Sequence, residues 1–161
     1  MATTNEALPA VGDAAPDFSV SDQDGNRANL KDCAGKAVVL YFYPKDSTPG
    51  CTIEAKEFRD ALPDFEAAGA LVFGVSPDNA QSHCKFIDKH GLGFRLLCDS
   101  DHEVATAYGV WTQKSLFGKK YMGIQRATFL IDPNGKIAQV WPKVKPRGHA
   151  AEVLAKVHEI T

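Results

Sequence analysis

One short segment places a cysteine where a buried strand gives way to a helix. The segment is Thr48-Pro49-Gly50-Cys51, and it follows the apolar run at residues 38–43, which ends at Pro44. Free backbone N–H groups and the positive end of the dipole favour an anion at the start of a helix. A thiolate is stabilised there, and the thiolate is the reactive form of cysteine. The pattern predicts a nucleophilic or redox-active Cys51, with a buried, inert cysteine as the alternative.

The neighbours of this cysteine suit chemistry on sulfur. Thr48 supplies a hydroxyl that both donates and accepts hydrogen bonds, and Gly50 allows the backbone to approach a ligand closely. No second cysteine stands at C-x-x-C spacing, because Thr48 and Glu54 occupy those positions. A thiol–disulfide oxidoreductase normally has that pair. A thiol–disulfide oxidoreductase therefore stays a distant alternative for the function of this protein, together with a non-enzymatic redox-sensing module.

The composition excludes several other classes of function. The chain has 161 residues, which suits one domain, and a formal net charge of −2 with no basic block, so neither nucleic acid nor a membrane is expected as a partner. Residues 1–11 contain no apolar signal segment and are expected to form a mobile lead-in. Because such a chain needs no disulfide framework, a reduced, cytoplasmic protein is expected. The cysteines are Cys33, Cys51, Cys84 and Cys98.

Hydrophobic periodicity predicts alternating strands and helices followed by a hairpin and a closing helix. A β-hairpin is expected near residues 17–26, and residues 111–121 are left between elements. The predicted strands are 36–43, 70–75, 96–97, 126–132 and 136–141, and the predicted helices are 49–62, 80–90, 101–108 and 148–159. This order predicts an α/β protein with a thioredoxin-like three-layer fold, a mixed central sheet and an N-terminal β-hairpin.

The motif Pro44-x-x-x-Thr48-x-x-Cys51 resembles the active-site motif of the peroxiredoxins. The longer stretch YFYPKDSTPGCT, with GVSPDN and RATFLIDPNGKI further along, resembles the Q-type subfamily, also called bacterioferritin comigratory protein. The resemblance covers the chain from about Gly12 onward. It implies a thiol-dependent peroxidase for hydrogen peroxide and small organic hydroperoxides. Thioredoxin is the implied reductant, ahead of glutaredoxin or a small thiol. The resemblance also implies a monomer without metal or other cofactor.

The same resemblance implies a role for each residue of the motif. Cys51 is the expected peroxidatic cysteine, Thr48 orients the peroxide oxygens, and Pro44 shields the thiolate. Arg126 is expected to hold the thiolate and polarise the peroxide, with Glu54 positioning that arginine. An arginine suits this task because its planar fork touches two atoms at once. The expected substrate-binding residues are Thr48, Gly50, Cys51 and Arg126.

The resolving cysteine is the point at which this chain departs from the subfamily. Many members carry it five residues after the peroxidatic cysteine, where this chain has Lys56. Other members carry it in the following helix, near the position of Ile87, and here Cys84 lies one helical turn earlier. Cys84 is therefore the candidate, and its disulfide with Cys51 is expected to require unwinding at the start of the Cys51 helix. A one-cysteine mechanism with an external thiol is the rival. The remaining two are weaker: Cys98 is a second candidate and Cys33 a bystander.

Overall fold

The computed structural model describes residues 8–161. Residues 1–7 of the expected mobile lead-in lie outside the described residues. Within residues 8–11, Leu8 packs against the core and the N–H of Ala10 donates to the Asp13 carboxylate at 2.9 Å.

The elements alternate as the hydrophobic pattern indicates. The strands are β1 (Ser19–Ser21), β2 (Arg27–Asn29), β3 (Ala37–Phe42), β4 (Ala70–Ser76), β5 (Arg95–Cys98), β6 (Trp111–Leu116), β7 (Lys119–Ile124), β8 (Ala127–Ile131) and β9 (Ile137–Trp141). The helices are α1 (Pro49–Ala67), α2 (Ala80–His90), α3 (Glu103–Ala107) and α4 (His149–Ile160), with a 3₁₀ turn at Leu30–Cys33. The bounds of α2 agree with the prediction because Asn79 caps its start and the left-handed Gly91 ends it.

A five-stranded mixed sheet forms the centre of the fold. Its order is β5-β4-β3-β8-β9, with β3, β4 and β5 parallel and β8 antiparallel to both β3 and β9. All six residues of β3 are buried, as expected for a strand covered on both faces. Helices α1, α2 and α4 cover one face, while the β1–β2 hairpin and α3 cover the other. The predicted thioredoxin-like three-layer fold, with its mixed sheet and N-terminal hairpin, is confirmed.

Helix α1 continues five residues beyond its predicted end at Leu62. It runs through Pro63 to Ala67, although proline normally interrupts a helix. Phe65 explains the extension, because its side chain is fully buried and its ring packs against Phe58 with centroids 5.8 Å apart. Burial of this ring stabilises the final turn and opposes the cost of the proline.

The segment left between elements is a β-hairpin. Strands β6 and β7 pair antiparallel around a turn in which Phe117 and Gly118 have φ of 50° and 79°. The prediction missed it because most of its side chains are half-buried or exposed, so no alternating pattern of apolar residues marks either strand. The exposed apolar residues at its end are Leu116, Phe117, Tyr121 and Met122.

The register of the sheet positions the cysteine segment. Phe42, the last residue of β3, pairs with Ala127, the first residue of β8. Arg126, directly before β8, therefore lies at the carboxyl end of β3, where the chain leaves the sheet and leads to α1. Among residues 8–161, no helix has both the length and the apolar composition needed to cross a membrane.

Candidate active site

Cys51 lies in the first turn of α1, as the sequence predicts. Thr48 is the N-cap, Pro49 occupies the first helical position, and the N–H of Thr52 donates to the Thr48 carbonyl at 2.9 Å. Proline suits that position because its missing N–H would have had no partner in the helix. Cys51 is 1% exposed, so its sulfur meets the N-terminal end of the helix in surroundings largely free of water.

Arg126 connects the cysteine to a carboxylate. Its Nη2 donates to Sγ of Cys51 at 3.3 Å, and its Nη1 donates to Oε1 of Glu54 at 2.7 Å. The planar guanidinium thus holds both groups in one fixed geometry. Gly50 makes the approach possible, since a Cβ at this position would lie 3.2 Å from Nη2 of Arg126. The glycine expected to admit a ligand therefore also admits the arginine.

Burial and charge act in opposite directions on this pair. Burial raises the pKa of Glu54 to about 7, with the Arg126 charge acting against the rise and Glu57 adding to it. For Arg126, burial disfavours the charged form, but the adjacent Glu54 and Cys51 raise its pKa above the ordinary value. Arg126 therefore stays a cation beside the sulfur. Within residues 8–161, Oε2 of Glu54 is buried without a hydrogen-bond partner, so one carboxylate oxygen pays the desolvation cost.

The threonine and proline of the motif occupy the loop before α1. The Thr48 hydroxyl donates to the carbonyl of Lys45 at 2.8 Å and makes no capping bond to the helix. Pro44 is exposed directly after β3, and its shielding of the thiolate stays a prediction. Pro146 was missed by the sequence reasoning. Its Cγ would lie 3.5 Å from a Cβ at Gly50, so the loop before α4 forms a wall of the site.

The thiol of Cys84 contacts the turn between β1 and β2. All four cysteines are free, and Sγ of Cys84 donates to the Gln23 carbonyl at 3.1 Å. Sγ of Cys98 donates to the neighbouring Asp22 carbonyl at 3.6 Å. Burial, together with nearby acidic groups, raises the pKa of Cys98 to about 11. Burial also raises the pKa of Cys33, which lies in the 3₁₀ turn. Neither thiol is poised as a nucleophile.

A largely buried polar cluster, which joins the loop between β3 and α1 to α2, was also missed by the sequence reasoning. Asp46, Asp78 and His83 bring one ligand-type atom each within 4.8 Å of one another. These atoms are engaged by hydrogen bonds to each other and to neighbouring groups. No signal in the sequence pairs residues 46 and 83, which lie in a loop and in a later helix.

The sequence comparisons with known proteins point to one family. Residues 11–140 match the AhpC/TSA family. The chain is 48% identical over 151 residues to "Peroxiredoxin Bcp" of Bacillus subtilis, covering 94% of this chain and 96% of that protein. It is 47% identical over 144 residues to "Peroxiredoxin Bcp" of Escherichia coli, covering 89% and 92%.

Solved structures give the same result. "Peroxiredoxin Q" of Xanthomonas campestris superposes with a TM-score of 0.87 at 43% identity, covering 95% of this chain and 97% of that one. Another structure of the Xanthomonas campestris bacterioferritin comigratory protein, described in terms of its alkyl peroxide reduction activity, gives 0.87 at 42% identity over 96% and 98%. The chain therefore belongs to the AhpC/TSA family, within the Q-type or bacterioferritin comigratory group of peroxiredoxins.

Proposed function

We propose that this peroxiredoxin, a thiol-dependent peroxidase by family, reduces hydroperoxides with the Cys51 thiolate. The thiolate attacks one oxygen of the peroxide, a sulfur–oxygen bond forms and the O–O bond breaks. Sulfur is oxidised to the sulfenic acid Cys51–SOH, and the departing oxygen takes up a proton to leave as water or an alcohol. No metal or other cofactor takes part in this sequence.

One observation carries the proposal: the guanidinium of Arg126 contacts Sγ of Cys51 while Glu54 holds its other nitrogen. Negative charge moves from sulfur to the departing oxygen during the attack, and a fixed cation beside the sulfur stabilises that charge without reorganising. Glu54 acts through the arginine, so we assign it a positioning role. Arg126, Cys51, Thr48 and Gly50 form the proposed binding site for the peroxide.

Thr48 has a defined part in this scheme because of its bond to Lys45. Its single hydroxyl hydrogen is donated to the Lys45 carbonyl, so the lone pairs of the oxygen remain for the substrate. A hydroperoxide donates its own proton to Thr48 and accepts from Arg126. Pro44 completes the proposed site as a rigid apolar wall on the loop.

Cys84 is the proposed resolving cysteine. Its thiolate attacks the sulfur of Cys51–SOH, so the S–S bond of the Cys51–Cys84 disulfide forms and the S–O bond breaks. The departing hydroxide takes up the proton lost from the Cys84 thiol and leaves as water. A thioredoxin dithiol then reduces the disulfide and is itself oxidised to a disulfide. The thiol of Cys84 now faces Gln23 while Cys51 faces Arg126, so the helix ends must move before the two sulfurs meet. The competing mechanism is direct reduction of the sulfenic acid by an external thiol.

The proposed substrates, oligomeric state and cellular location follow from the assignment of the protein as a thioredoxin-dependent peroxidase. Hydrogen peroxide and small organic hydroperoxides are the proposed substrates, in line with the alkyl peroxide reduction described for the Xanthomonas campestris relative. A monomer in the cytoplasm is proposed, because recycling by thioredoxin takes place in a reducing compartment. Light scattering during size-exclusion chromatography tests the monomer.

Peptide mapping after one oxidation tests the mechanism. The reduced protein is treated with one equivalent of hydrogen peroxide, alkylated and mapped without reduction by mass spectrometry. A Cys51–Cys84 peptide, absent in Cys84→Ser and retained in the control Cys33→Ser, is expected. Oxidised Cys51 with alkylated Cys84 would instead establish the one-cysteine mechanism. Peroxide that persists over an unmodified Cys51 would refute the assignment of Cys51.

A further inference from the structure

The carboxylate of Asp46, in the loop between β3 and α1, is the centre of the largely buried polar cluster. It accepts a hydrogen bond from the hydroxyl of Tyr43 at 2.6 Å and another from that of Ser82 at 2.8 Å. Its Oδ2 also lies 2.7 Å from Nδ1 of His83. Asp46 is 5% exposed and His83 is fully buried. Three partners surround a carboxylate that lies two residues after Pro44 and two before Thr48.

The protons of this cluster follow from its acceptors. Nε2 of His83 lies 2.9 Å from the carbonyl of Leu97, which only accepts, so Nε2 carries a hydrogen. The other ring nitrogen faces the carboxylate of Asp46, and a proton lies between these two groups. The N–H of Asp46 donates to Oδ2 of Asp78 at 2.8 Å, which also accepts from the Ser76 hydroxyl at 2.7 Å. Each ligand-type atom of these three residues thus already has a hydrogen-bond partner, so the cluster needs no cation to satisfy it.

The cluster joins two segments that carry chemistry. Asp46 belongs to the loop that leads from β3 to Cys51, whereas Ser82 and His83 lie in the first turn of α2, directly before Cys84. Buried hydrogen bonds to an ionised group are among the stronger ones in proteins. These hydrogen bonds therefore hold the first turn of α2 against the loop that contains part of the proposed substrate site.

We propose that the Asp46–His83 pair is a latch that controls when Cys84 reaches Cys51. The inference rests on the proposed resolution by Cys84. While the latch is closed, the loop presents Thr48 to the peroxide and Cys84 stays against Gln23. Cys84 cannot leave this place with the first turn of α2 unless His83 leaves Asp46. The latch thereby sets what fraction of Cys51–SOH goes to each of two products. One is the disulfide with Cys84, and the other is the sulfinic acid, which forms when the sulfenic acid attacks a second peroxide.

Two substitutions of His83 separate the latch from a simple packing role. In His83→Asn the amide nitrogen stands near the position of Nδ1 and keeps the bond to Asp46, whereas in His83→Gln it stands near Nε2 and keeps the bond to Leu97. His158→Gln, at an exposed histidine, is the matched control. Stopped-flow measurement of Trp fluorescence follows the reaction with peroxide and the formation of the disulfide separately. Mass spectrometry gives the fraction of sulfinic acid at a fixed peroxide concentration.

The latch predicts opposite changes in the two steps for His83→Gln. Disulfide formation is expected to be about 10- to 100-fold faster, which corresponds to the loss of one buried hydrogen bond to a charged group. The reaction with peroxide slows, the sulfinic acid fraction falls, and His83→Asn and His158→Gln stay near the parent values. A disulfide step unchanged in folded His83→Gln, or equal effects of the Asn and Gln variants, would overturn the latch. If His83→Gln does not fold, Ser82→Ala tests the same prediction with a smaller acceleration.

Hydrogen exchange separates failure of the latch from failure of the proposed function. A parent protein that forms no Cys51–Cys84 disulfide refutes resolution by Cys84. In the reduced protein, His83→Gln is still expected to speed exchange of the backbone amides at residues 45–48 and 80–86 more than that of any other segment. Acceleration confined to these two segments supports the tie between them. Uniform acceleration, or none, refutes that tie whichever thiol resolves the sulfenic acid.

Discussion

The buried carboxylate of Glu54 makes a quantitative prediction about stability and pH. Its pKa is about 7 in the folded protein against 4.5 ordinarily, and burial is the main cause. Between these values the folded state binds more protons than the unfolded state, so the free energy of unfolding falls as pH rises. The proton on Glu54 stabilises the fold fully below pH 4.5, and this contribution is lost as pH passes through about 7. The difference of about 2.5 pH units corresponds to about 3 kcal/mol.

The substitution Glu54→Gln removes this titration while it keeps an oxygen that accepts from Arg126. Both proteins carry Cys51→Ser, which keeps the cysteine out of the comparison. The free energy of unfolding of the parent, relative to Glu54→Gln, is expected to fall by about 2.5 kcal/mol between pH 5 and pH 8. With a slope of about 2 kcal/mol per molar urea, the two unfolding midpoints move relative to each other by about 1 M.

Urea titrations followed by circular dichroism at pH 5, 6, 7 and 8 measure this difference. Glu66→Gln removes an exposed carboxylate of the same helix and controls for the loss of a charge. Parallel pH dependences for the parent and Glu54→Gln would refute the dominance of burial. A difference that grows with pH would show that the attraction of Arg126 exceeds the desolvation of the carboxylate.

Three further substitutions test other parts of the structure. Arg126→Lys is expected to slow the reaction of Cys51 with peroxide about 100-fold, because an ammonium does not reproduce the fork that reaches both Glu54 and Cys51. Competition kinetics against a second peroxidase measure the rate, and a change under threefold would contradict the prediction. Gly74→Ala is expected to cost about 1–3 kcal/mol in urea unfolding, because its Cβ would lie 2.8 Å from Leu96 and 2.9 Å from Tyr41; an unchanged midpoint would show that these side chains move aside freely. Asp99→Ala removes the acceptor for the N–H groups of Val104 and Ala105, so the free energy of unfolding is expected to fall by about 1–2 kcal/mol and hydrogen exchange in α3 to become faster. Unchanged exchange in α3 would contradict this capping role.

Local signals account for what the sequence predicted correctly. Strand β3 is a continuous apolar run because both of its faces are buried, and α2 has a cap at each end. The last turn of α1 has no such signal, since its stability comes from Phe65 packing on Phe58 rather than from propensity at Pro63. The β6–β7 hairpin lies largely outside the core, so its sequence has no regular alternation of apolar and polar residues that would mark the strands.

In the candidate site, too, features set by neighbouring residues could be predicted, whereas contacts between residues far apart in the sequence could not be predicted from local patterns. The position of Cys51 in the first turn of a helix follows from local signals, the hydrophobic periodicity of residues 49–62 and the proline at its start. Its contact with Arg126 follows from the resemblance to a known motif and from the pairing of β3 with β8, not from spacing along the chain. The Asp46–His83 contact joins a loop to a helix through side chains, and Pro146 reaches Gly50 from the loop before α4. Neither contact has a local pattern that could reveal it.

The hydrogen bond from Thr48 to Lys45 sets a rule for which oxidants the site selects. Because the hydroxyl hydrogen is already donated, Thr48 offers only lone pairs, while Arg126 offers only N–H groups. A molecule that matches both must donate at one oxygen and accept at the other. Hydroperoxides meet this requirement, whereas dialkyl peroxides have no proton to donate. We therefore expect tert-butyl hydroperoxide to be consumed and di-tert-butyl peroxide, with the same O–O bond, to be left intact.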